Sequence, residues 1–329
     1  SSTSRGLGDV YKRQQLYRGI AKLYMYDCKR YFKNSMVLDP YKTQERLLGL
    51  ITARQHVVEK GLTMPNPRLG FGKENIIALV SLCNEYENRY DVAHEQFVAA
   101  ISVLKEYIDF HKKRQFKIDK DLLEIISSLI EKYSLVKVHP QIKTTSDAFF
   151  SNTSKSFDIF ARSRHTVRNY SEEDISEEEL RKVIELAQTA PSACNRQPIR
   201  VHICDKYIGQ EVLKFHNGNR GFGNLANKVI VVTADLSSYM NNNERNCAYI
   251  DGGIFVMNLL YALHFHHMGA CTLNWSATIE QDKNVHKLLS IPEREEIICM
   301  LTIGKLPKEL AIANSERINI DRIITFHNK

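Results

Sequence analysis

Two short polar segments carry the side chains best suited to chemistry in this chain. The first segment contains Arg164, Thr166 and Arg168, and the second, about two dozen residues later, contains Asn195 and Gln197. Two arginines flanking a hydroxyl predict an anion site of phosphate size, because guanidinium groups match phosphate oxygens and keep their charge at any working pH. The two amides can recognise the edge of a flat heterocycle through paired donors and acceptors. Together the segments predict a bound phosphorylated ring cofactor.

Three histidines and seven cysteines raise the alternative of a metal or redox centre. His264, His266 and His267 have a spacing that does not bring all three to one helix face, and no carboxylate stands beside them. The cysteines are scattered and form no CxxC pair, which favours buried thiols in a reducing cytosol. We therefore predict no metal site and a cytoplasmic location.

Length, composition and charge indicate two globular domains of different character. The 329 residues are 43% hydrophobic, enough for two buried cores, and we find neither a signal peptide nor the apolar run of roughly 20 residues that a membrane helix needs. Residues 1–150 contain 24 basic and 17 acidic side chains, whereas residues 151–329 contain 21 of each. The basic part could approach an anionic partner, although solvated helix surfaces are the simpler explanation. No nucleic-acid-binding module is visible.

Sequence patterns divide the chain into four segments. Residues 1–14 resemble the translation of a transposon end used in preparing sequencing libraries, so we treat them as an artefact. Residues 15–140 are predicted to form an all-helical domain, residues 141–157 a polar linker, and residues 158–329 a second domain.

The predicted helices of the first domain follow apolar residues at helical spacing. One buried stripe contains Ile76, Leu79 and Cys83. An earlier helix is predicted to end at Gly61 through a left-handed cap. The loop that follows contains several proline and glycine residues, and we expect it to link two helices and to pack through Phe71.

In the second domain, helices alternate with β-rich runs. Residues 200–204, 229–233 and 297–303 read as buried strands. A capping box, Ser176 with Glu179, begins one helix. A longer helix is predicted over residues 247–268, and we expect it to be buried on several sides. Its main apolar stripe consists of Ile250, Ile254, Met257, Tyr261 and Phe265. The fold class predicted is α+β, a three-layer α/β/α sandwich with a mixed sheet, preceded by an all-α domain.

Four motifs in register resemble the FMN-dependent nitroreductase family. They are Arg-His-Thr-Val-Arg-Asn-Tyr at 164–170, Ala-Pro-Ser-x-x-Asn-x-Gln-Pro at 190–198, Gly-Ala-Cys-Thr-Leu-Asn-Trp at 269–275 and Leu-Thr-Ile-Gly-Lys-Leu-Pro at 301–307. The likeness covers residues 158–329. The helical extension resembles one found on some nitroreductase-like proteins near bacterial surface-polysaccharide genes.

The resemblance implies a nitroreductase-like fold that forms a homodimer with two FMN molecules at the interface. Arg164 and Thr166 would hold the FMN phosphate, and Arg168 would lie near the pyrimidine end of the flavin. The segment 190–198 would approach the flavin from the partner subunit, and the segment 273–275 would place a backbone N–H against flavin N5. The cofactor-binding residues implied are Arg164, His165, Thr166, Arg168, Pro191, Ser192, Asn195, Gln197, Leu273, Asn274, Trp275, Gly304 and Arg317.

The function implied is that of a flavoenzyme. It would take hydride from NADH or NADPH at flavin N5 and reduce a nitroaromatic, quinone or enone in a ping-pong cycle. No certain catalytic side chain is visible, since the flavin itself performs the chemistry. Two alternatives stay open. One is a flavin-dependent oxidase or dehydrogenase acting in surface-polysaccharide or other biosynthesis, and the other is a non-catalytic scaffold or dimeric binding protein.

Overall fold

The computed structural model describes the backbone of residues 2–328 and the side chains of residues 10–328. The helices are α1 (Ser2–Asn34), α2 (Gln44–Thr63), α3 (Lys73–Glu87), α4 (Glu95–Lys113), α5 (Lys120–Ile130), α6 (Ser146–Phe150), α7 (Phe157–Ser163), α8 (Glu177–Ala187), α9 (Lys206–Leu213), α10 (Cys247–Phe265) and α11 (Ile279–Leu289). The strands are β1 (Ile142–Thr145), β2 (Ile199–Cys204), β3 (Lys228–Asp235), β4 (Gly269–Asn274), β5 (Glu295–Gly304) and β6 (Glu309–Ile312).

The chain forms two compact units whose boundaries differ from those predicted. The sheet unit comprises residues 2–34 and 145–308, and the helical unit comprises residues 35–144 and 309–328. Helix α1 belongs with the sheet unit, because an Arg245–Asp27 ion pair fastens it there. The C-terminal segment belongs with the helical unit, because β6 pairs with β1. The segment 141–157, which was expected to be a linker, contains β1 and α6.

The central sheet of the sheet unit has the strand order β2-β3-β5-β4, and every pairing in it is antiparallel. The mixed sheet predicted from the sequence is therefore wrong. Strands β3 and β4, which α10 connects, do run in the same direction, but β5 lies between them and pairs with both. The three runs predicted as strands are confirmed within β2, β3 and β5, with ends that differ by one or two residues.

Helices cover both faces of this sheet, so the predicted three-layer α+β architecture is confirmed. Ile230 and Val232 of β3 point to one face, where α8 and α10 contribute to the same apolar core. Val229, the residue before Ile230, points to the other face, and its side chain lies against Gly209 of α9. The capping box of α8 forms as predicted, with Ser176 and Glu179 bonding each other's backbone N–H.

Helix α10 buries a different stripe from the one predicted. Its inner face carries Phe255, Leu259 and Leu263, whereas Ile250 and Ile254 are largely exposed within one chain. Because α10 is apolar all round, the sequence did not indicate which stripe faces the sheet. For the same reason residues 242–265 are long and apolar enough to cross a membrane, although half of that stretch is buried inside the protein. The packing of α10 on the sheet accounts for its composition.

The helical unit has its own apolar core, formed by α2 to α5. Ile76, Leu79 and Cys83 are fully buried in it, as their spacing predicts. The predicted helix end at Gly61 is wrong, since α2 continues to Thr63. Gly61 is needed for close packing instead: a Cβ there would lie 2.0 Å from the ring of Phe71. The expectation that Phe71 anchors the following loop is confirmed.

Candidate functional site

The arginine-rich segment follows α7 and lies along the free edge of the central sheet. The N–H of Val167 donates to the carbonyl oxygen of Ala270 in β4, at 2.9 Å. Gly269 allows this approach, since a Cβ there would lie 3.1 Å from Val167. The hydroxyl of Tyr170 is held by Val167 and Thr302, each at 2.9 Å. The segment 164–170 is thus fixed to β4 at its middle and to β5 at its end.

The side chains of Arg164, Thr166 and Arg168 are partly buried in this segment. The guanidinium carbon of Arg168 lies 5.8 Å from the ring centre of Phe222. Two guanidinium cations and a hydroxyl within five residues form a donor set that fits a phosphate monoester, which presents several oxygen acceptors and a double negative charge. The residues present are therefore chemically suited to the phosphate group of FMN.

A buried histidine lies behind this donor set. The Nε2 atom of His264 lies 2.9 Å from Ser163 Oγ, whose own hydrogen is donated to the carbonyl oxygen of Phe160. His264 therefore donates from Nε2, and its buried Nδ1 finds no hydrogen-bond partner among the described residues. Burial, together with the positive charge of Arg164, lowers the pKa of His264 to about 4. The imidazole is neutral at physiological pH.

His266 and His267, the other two histidines of the run 264–267, do not share the surroundings of His264. The ring of His267 stacks on Phe150 at 4.8 Å, and its Nε2 lies 3.0 Å from Thr153 Oγ1. Burial lowers the pKa of His266. Among the described residues no group of three histidine, cysteine or acidic side chains is placed to hold a metal ion.

The C-terminal end of β4 is fastened through backbone and ring contacts. His216 Nδ1 accepts the N–H of Gly218, so its Nε2 donates to the carbonyl oxygen of Asn274 at 2.8 Å. Trp275 stacks beside His216 and donates its indole N–H to Asp282 at 2.8 Å. Leu273 is buried. The segment 273–275 is thus held by contacts with His216 and Asp282.

Loop 216–222 is a part of the site that sequence reasoning missed. It reaches Arg168 through Phe222 and the end of β4 through His216. The structure thereby brings the arginine segment, this loop and the segment 273–275 together around one edge strand. The run Asn217-Gly218-Asn219-Arg220-Gly221 was the available signal, because closely spaced asparagine and glycine residues mark a loop with unusual backbone geometry.

The second polar segment, 190–198, forms a strained loop. Cys194, Asn195 and Gln197 all adopt positive φ angles, between 50° and 54°. Each such left-handed residue costs about 1 kcal/mol or more, so the loop is held by its surroundings. The backbone N–H of Gln197 donates to Ser192 Oγ at 2.9 Å. Asn195 and Gln197 are exposed, as is Pro191.

Two acidic side chains hold this loop in place. Asp251 of α10 accepts the N–H of Ala193 at 3.0 Å. Glu244 accepts from Arg196 at 2.7 Å, and this ion pair lowers the pKa of Glu244 to about 2. The strained backbone is thus fastened to the N-terminal end of α10. Strain that is stabilised in this way is typical of functional loops.

Within one chain the predicted site residues fall into two groups. The arginine segment and residues 273–275 belong to the β4 edge, whereas the loop 190–198 leads into β2 at the opposite edge. Three interstrand spacings of about 4.8 Å place these edges roughly 14 Å apart. Two surface clefts of about 910 and 380 Å³ are also present, and none of the predicted cofactor-binding residues lines either of them.

Gly304 and Arg317, the last two predicted site residues, have different surroundings. Gly304 ends β5 and packs tightly: a Cβ there would lie 2.3 Å from Asn227 Oδ1 and 2.7 Å from the ring of Tyr170. Arg317 is exposed in the helical unit, and its guanidinium donates to the carbonyl oxygen of Ser315 at 2.6 Å. Packing therefore explains the glycine, and the phosphate role of Arg317 stays a prediction.

Comparison with known proteins identifies relatives of the sheet unit. The profile described as the nitroreductase family matches residues 161–215 and 206–305. A protein of Archaeoglobus fulgidus named as an NADH dehydrogenase/NAD(P)H nitroreductase is 31% identical over 167 residues, covering 49% of this chain and 91% of that protein. A 4-nitrobenzoate reductase of Nocardioides sp. is 20% identical over 224 residues, covering 52% of this chain and 90% of that protein.

Solved structures show a similar correspondence. A protein of Desulfovibrio desulfuricans, described as a nitroreductase in complex with FMN, aligns with a TM-score of 0.45 and 22% identity. That alignment covers 52% of this chain and 95% of the other chain. About half of the present chain thus corresponds to nearly the whole of each of these proteins.

Proposed function

Since this chain belongs to the nitroreductase family, we propose that it is an FMN-dependent oxidoreductase that transfers hydride from NADH or NADPH to a small organic acceptor. The observation that carries this proposal is the partly buried set of Arg164, Thr166 and Arg168 along the β4 edge. When bound, FMN would supply the hydride-accepting atom N5. The protein's part is to bind, orient and electrostatically stabilise that ring.

The roles of the individual side chains follow from their chemistry. Arg164 and Thr166 would hold the phosphate, with His165 beside them. Arg168 would place a positive charge near the pyrimidine end of the ring, where negative charge develops on reduction. The backbone of residues 273–275, supported by His216, would present an N–H to the reacting edge.

A second copy of the chain would complete the site. The loop 190–198 lies at the sheet edge opposite to the arginine segment, so it would reach the cofactor of a partner subunit. The exposed stripe of α10, including Ile250 and Ile254, supports this arrangement, because an apolar surface of this kind is typical of a homodimer interface. The proposed kinetic order is ping-pong, with the nicotinamide leaving before the acceptor binds.

The acceptor is proposed to be a nitroaromatic, a quinone or an enone. Similarity to a 4-nitrobenzoate reductase supports the nitroaromatic. The first test is the absorption spectrum of purified protein supplied with FMN. We expect the protein to retain FMN and to show its absorption band. Under anaerobic conditions this band should bleach when NADH or NADPH is added. Protein that cannot be loaded with FMN would support the scaffold alternative, and flavin that nicotinamides do not reduce would support an oxidase or dehydrogenase.

Mixed dimers test whether the site is shared between subunits. One variant carries Arg164→Met, and the other carries Ser192→Ala with Asn195→Ala. If each site takes its arginine from one subunit and its loop from the other, a mixed dimer contains one intact site and regains activity. If both groups serve the same subunit's cofactor, no intact site can form, and the mixture stays as inactive as the separate variants.

A further inference from the structure

The basic charge of this chain is concentrated in helix α1. Residues 15–34 contain five basic side chains and one acidic side chain, whereas residues 35–144 of the helical unit contain 16 basic and 14 acidic side chains. The anionic partner expected for the helical domain is therefore better matched to α1.

One side of α1 packs on the sheet unit. Gly19, Ile20, Leu23 and Asp27 are its partly buried residues. Asp27 forms a two-pronged ion pair with Arg245, at 2.6 and 2.9 Å. The one acidic side chain of residues 15–34 is thus already engaged, and the basic charge on the rest of the helix faces outward.

A second side of α1 is an exposed aromatic stripe. Its residues recur at positions i, i+7, i+8, i+14 and i+15, which at 100° per residue places them within about 120° of one another. Each is at least half exposed. The aromatic stripe consists of Tyr17, Tyr24, Met25, Tyr31 and Phe32.

A third side of α1 carries basic residues next to that aromatic stripe. Arg18, Lys22 and Lys29 are exposed and lie within about 40° of one another around the helix axis. A helix with an aromatic stripe flanked by lysine and arginine is typical of helices that lie in a membrane interface. Tyrosine in particular favours the headgroup level, where its ring is buried and its hydroxyl is hydrated.

We propose that α1 docks the protein on a bilayer that contains anionic phospholipids. A soluble polyanion would neutralise the basic side but offers no apolar phase for Tyr24, Met25 and Phe32. A second copy of α1 would offer an apolar surface, but its own basic residues would repel those of the first, because Asp27 is engaged with Arg245. A bilayer surface satisfies both sides of the helix at once.

Vesicle sedimentation with the full FMN-treated chain tests this proposal. We expect binding to vesicles made of equal parts phosphatidylglycerol and phosphatidylcholine, and little binding to phosphatidylcholine alone. Lys22→Gln with Lys29→Gln should weaken binding about 25-fold, because each basic residue near an anionic surface contributes about fivefold. Tyr24→Ser with Phe32→Ser should also weaken binding at unchanged charge. Lys283→Gln with Lys287→Gln, which removes the same charge from α11, should have little effect.

Three results would overturn the proposal. One is the absence of binding to the anionic vesicles. Another is an equal loss of binding for the α1 and α11 charge variants, which would indicate a general charge effect. The third is a change of oligomeric mass, rather than of vesicle binding, when Tyr24 and Phe32 are replaced, because that would assign the aromatic stripe to a second copy. Circular dichroism of every variant checks that the fold is intact.

Discussion

The neutral state of His264 predicts how the stability of the sheet unit depends on pH. In the folded chain burial and the charge of Arg164 lower the pKa of this imidazole from 6.5 to about 4. An unfolded chain has no such environment, so it binds the proton at the ordinary pKa. Between these two values the unfolded state binds more protons than the folded state, and the free energy of unfolding falls as the pH falls. Well above pH 6.5 the imidazole is neutral in both states, and His264 contributes no pH dependence.

The size of this effect follows from the two pKa values. The full difference corresponds to about 3 kcal/mol and is lost once the pH falls below about 4, and about 2 kcal/mol is already lost at pH 5. His264→Gln removes the titration while leaving an amide that can donate to Ser163 Oγ. Between pH 7 and pH 5 the free energy of unfolding should therefore fall by about 2 kcal/mol less in the variant than in the unchanged protein.

Urea unfolding followed by tryptophan fluorescence is a suitable assay, because Trp275 is the only tryptophan and belongs to the sheet unit. His327→Gln, in the exposed C-terminal tail, serves as the matched control for the substitution itself. Equal pH dependence of stability for the unchanged protein and the His264→Gln variant would refute the reasoning. It would mean that the imidazole takes up its proton in the folded state as readily as in the unfolded chain.

Two further predictions concern packing and the strained loop. Gly304→Ala should destabilise the sheet unit by about 1–3 kcal/mol in thermal unfolding, since the new Cβ meets Asn227 and Tyr170. An unchanged unfolding temperature for Gly304→Ala would contradict the packing argument. Arg196→Met removes the ion pair with Glu244 and should speed amide hydrogen exchange across residues 190–198. Arg181→Met, which removes an exposed arginine from α8, should leave this exchange unchanged. Unchanged exchange in the Arg196→Met variant would show that the loop does not depend on the ion pair.

Regular elements with strong local signals were predictable from the sequence. The runs within β2, β3 and β5 are rich in valine and isoleucine, and the Ser176 capping box is a purely local pattern. Strand β4 was not predicted as a strand, because Gly-Ala-Cys-Thr-Leu-Asn shows neither clear alternation nor many β-branched residues. The end of α2 was misplaced because Gly61 serves a distant contact with Phe71, which no local pattern reveals.

The candidate site shows the same division between local and distant determinants. The types and spacing of Arg164, Thr166 and Arg168 were sufficient to suggest an anion site. The supports of that site were not predictable, since His264 and His216 act through Ser163 and Asn274, which are far from them in the sequence. The antiparallel order of the sheet likewise depends on β5 lying between β3 and β4, which is a property of the whole fold.

The central claim is that the arginine segment binds the phosphate of a flavin, and the most direct test compares FMN with riboflavin. Dissociation constants of both should be measured by flavin fluorescence for the unchanged chain, for Arg164→Met and for Arg162→Met. Arg162 is an exposed neighbour on α7, so its replacement removes the same charge. A charge-assisted bond to phosphate of about 1.5–3 kcal/mol predicts that Arg164→Met weakens FMN roughly 10- to 100-fold and leaves riboflavin unchanged. Equal effects on both ligands, or on both variants, would contradict the assignment.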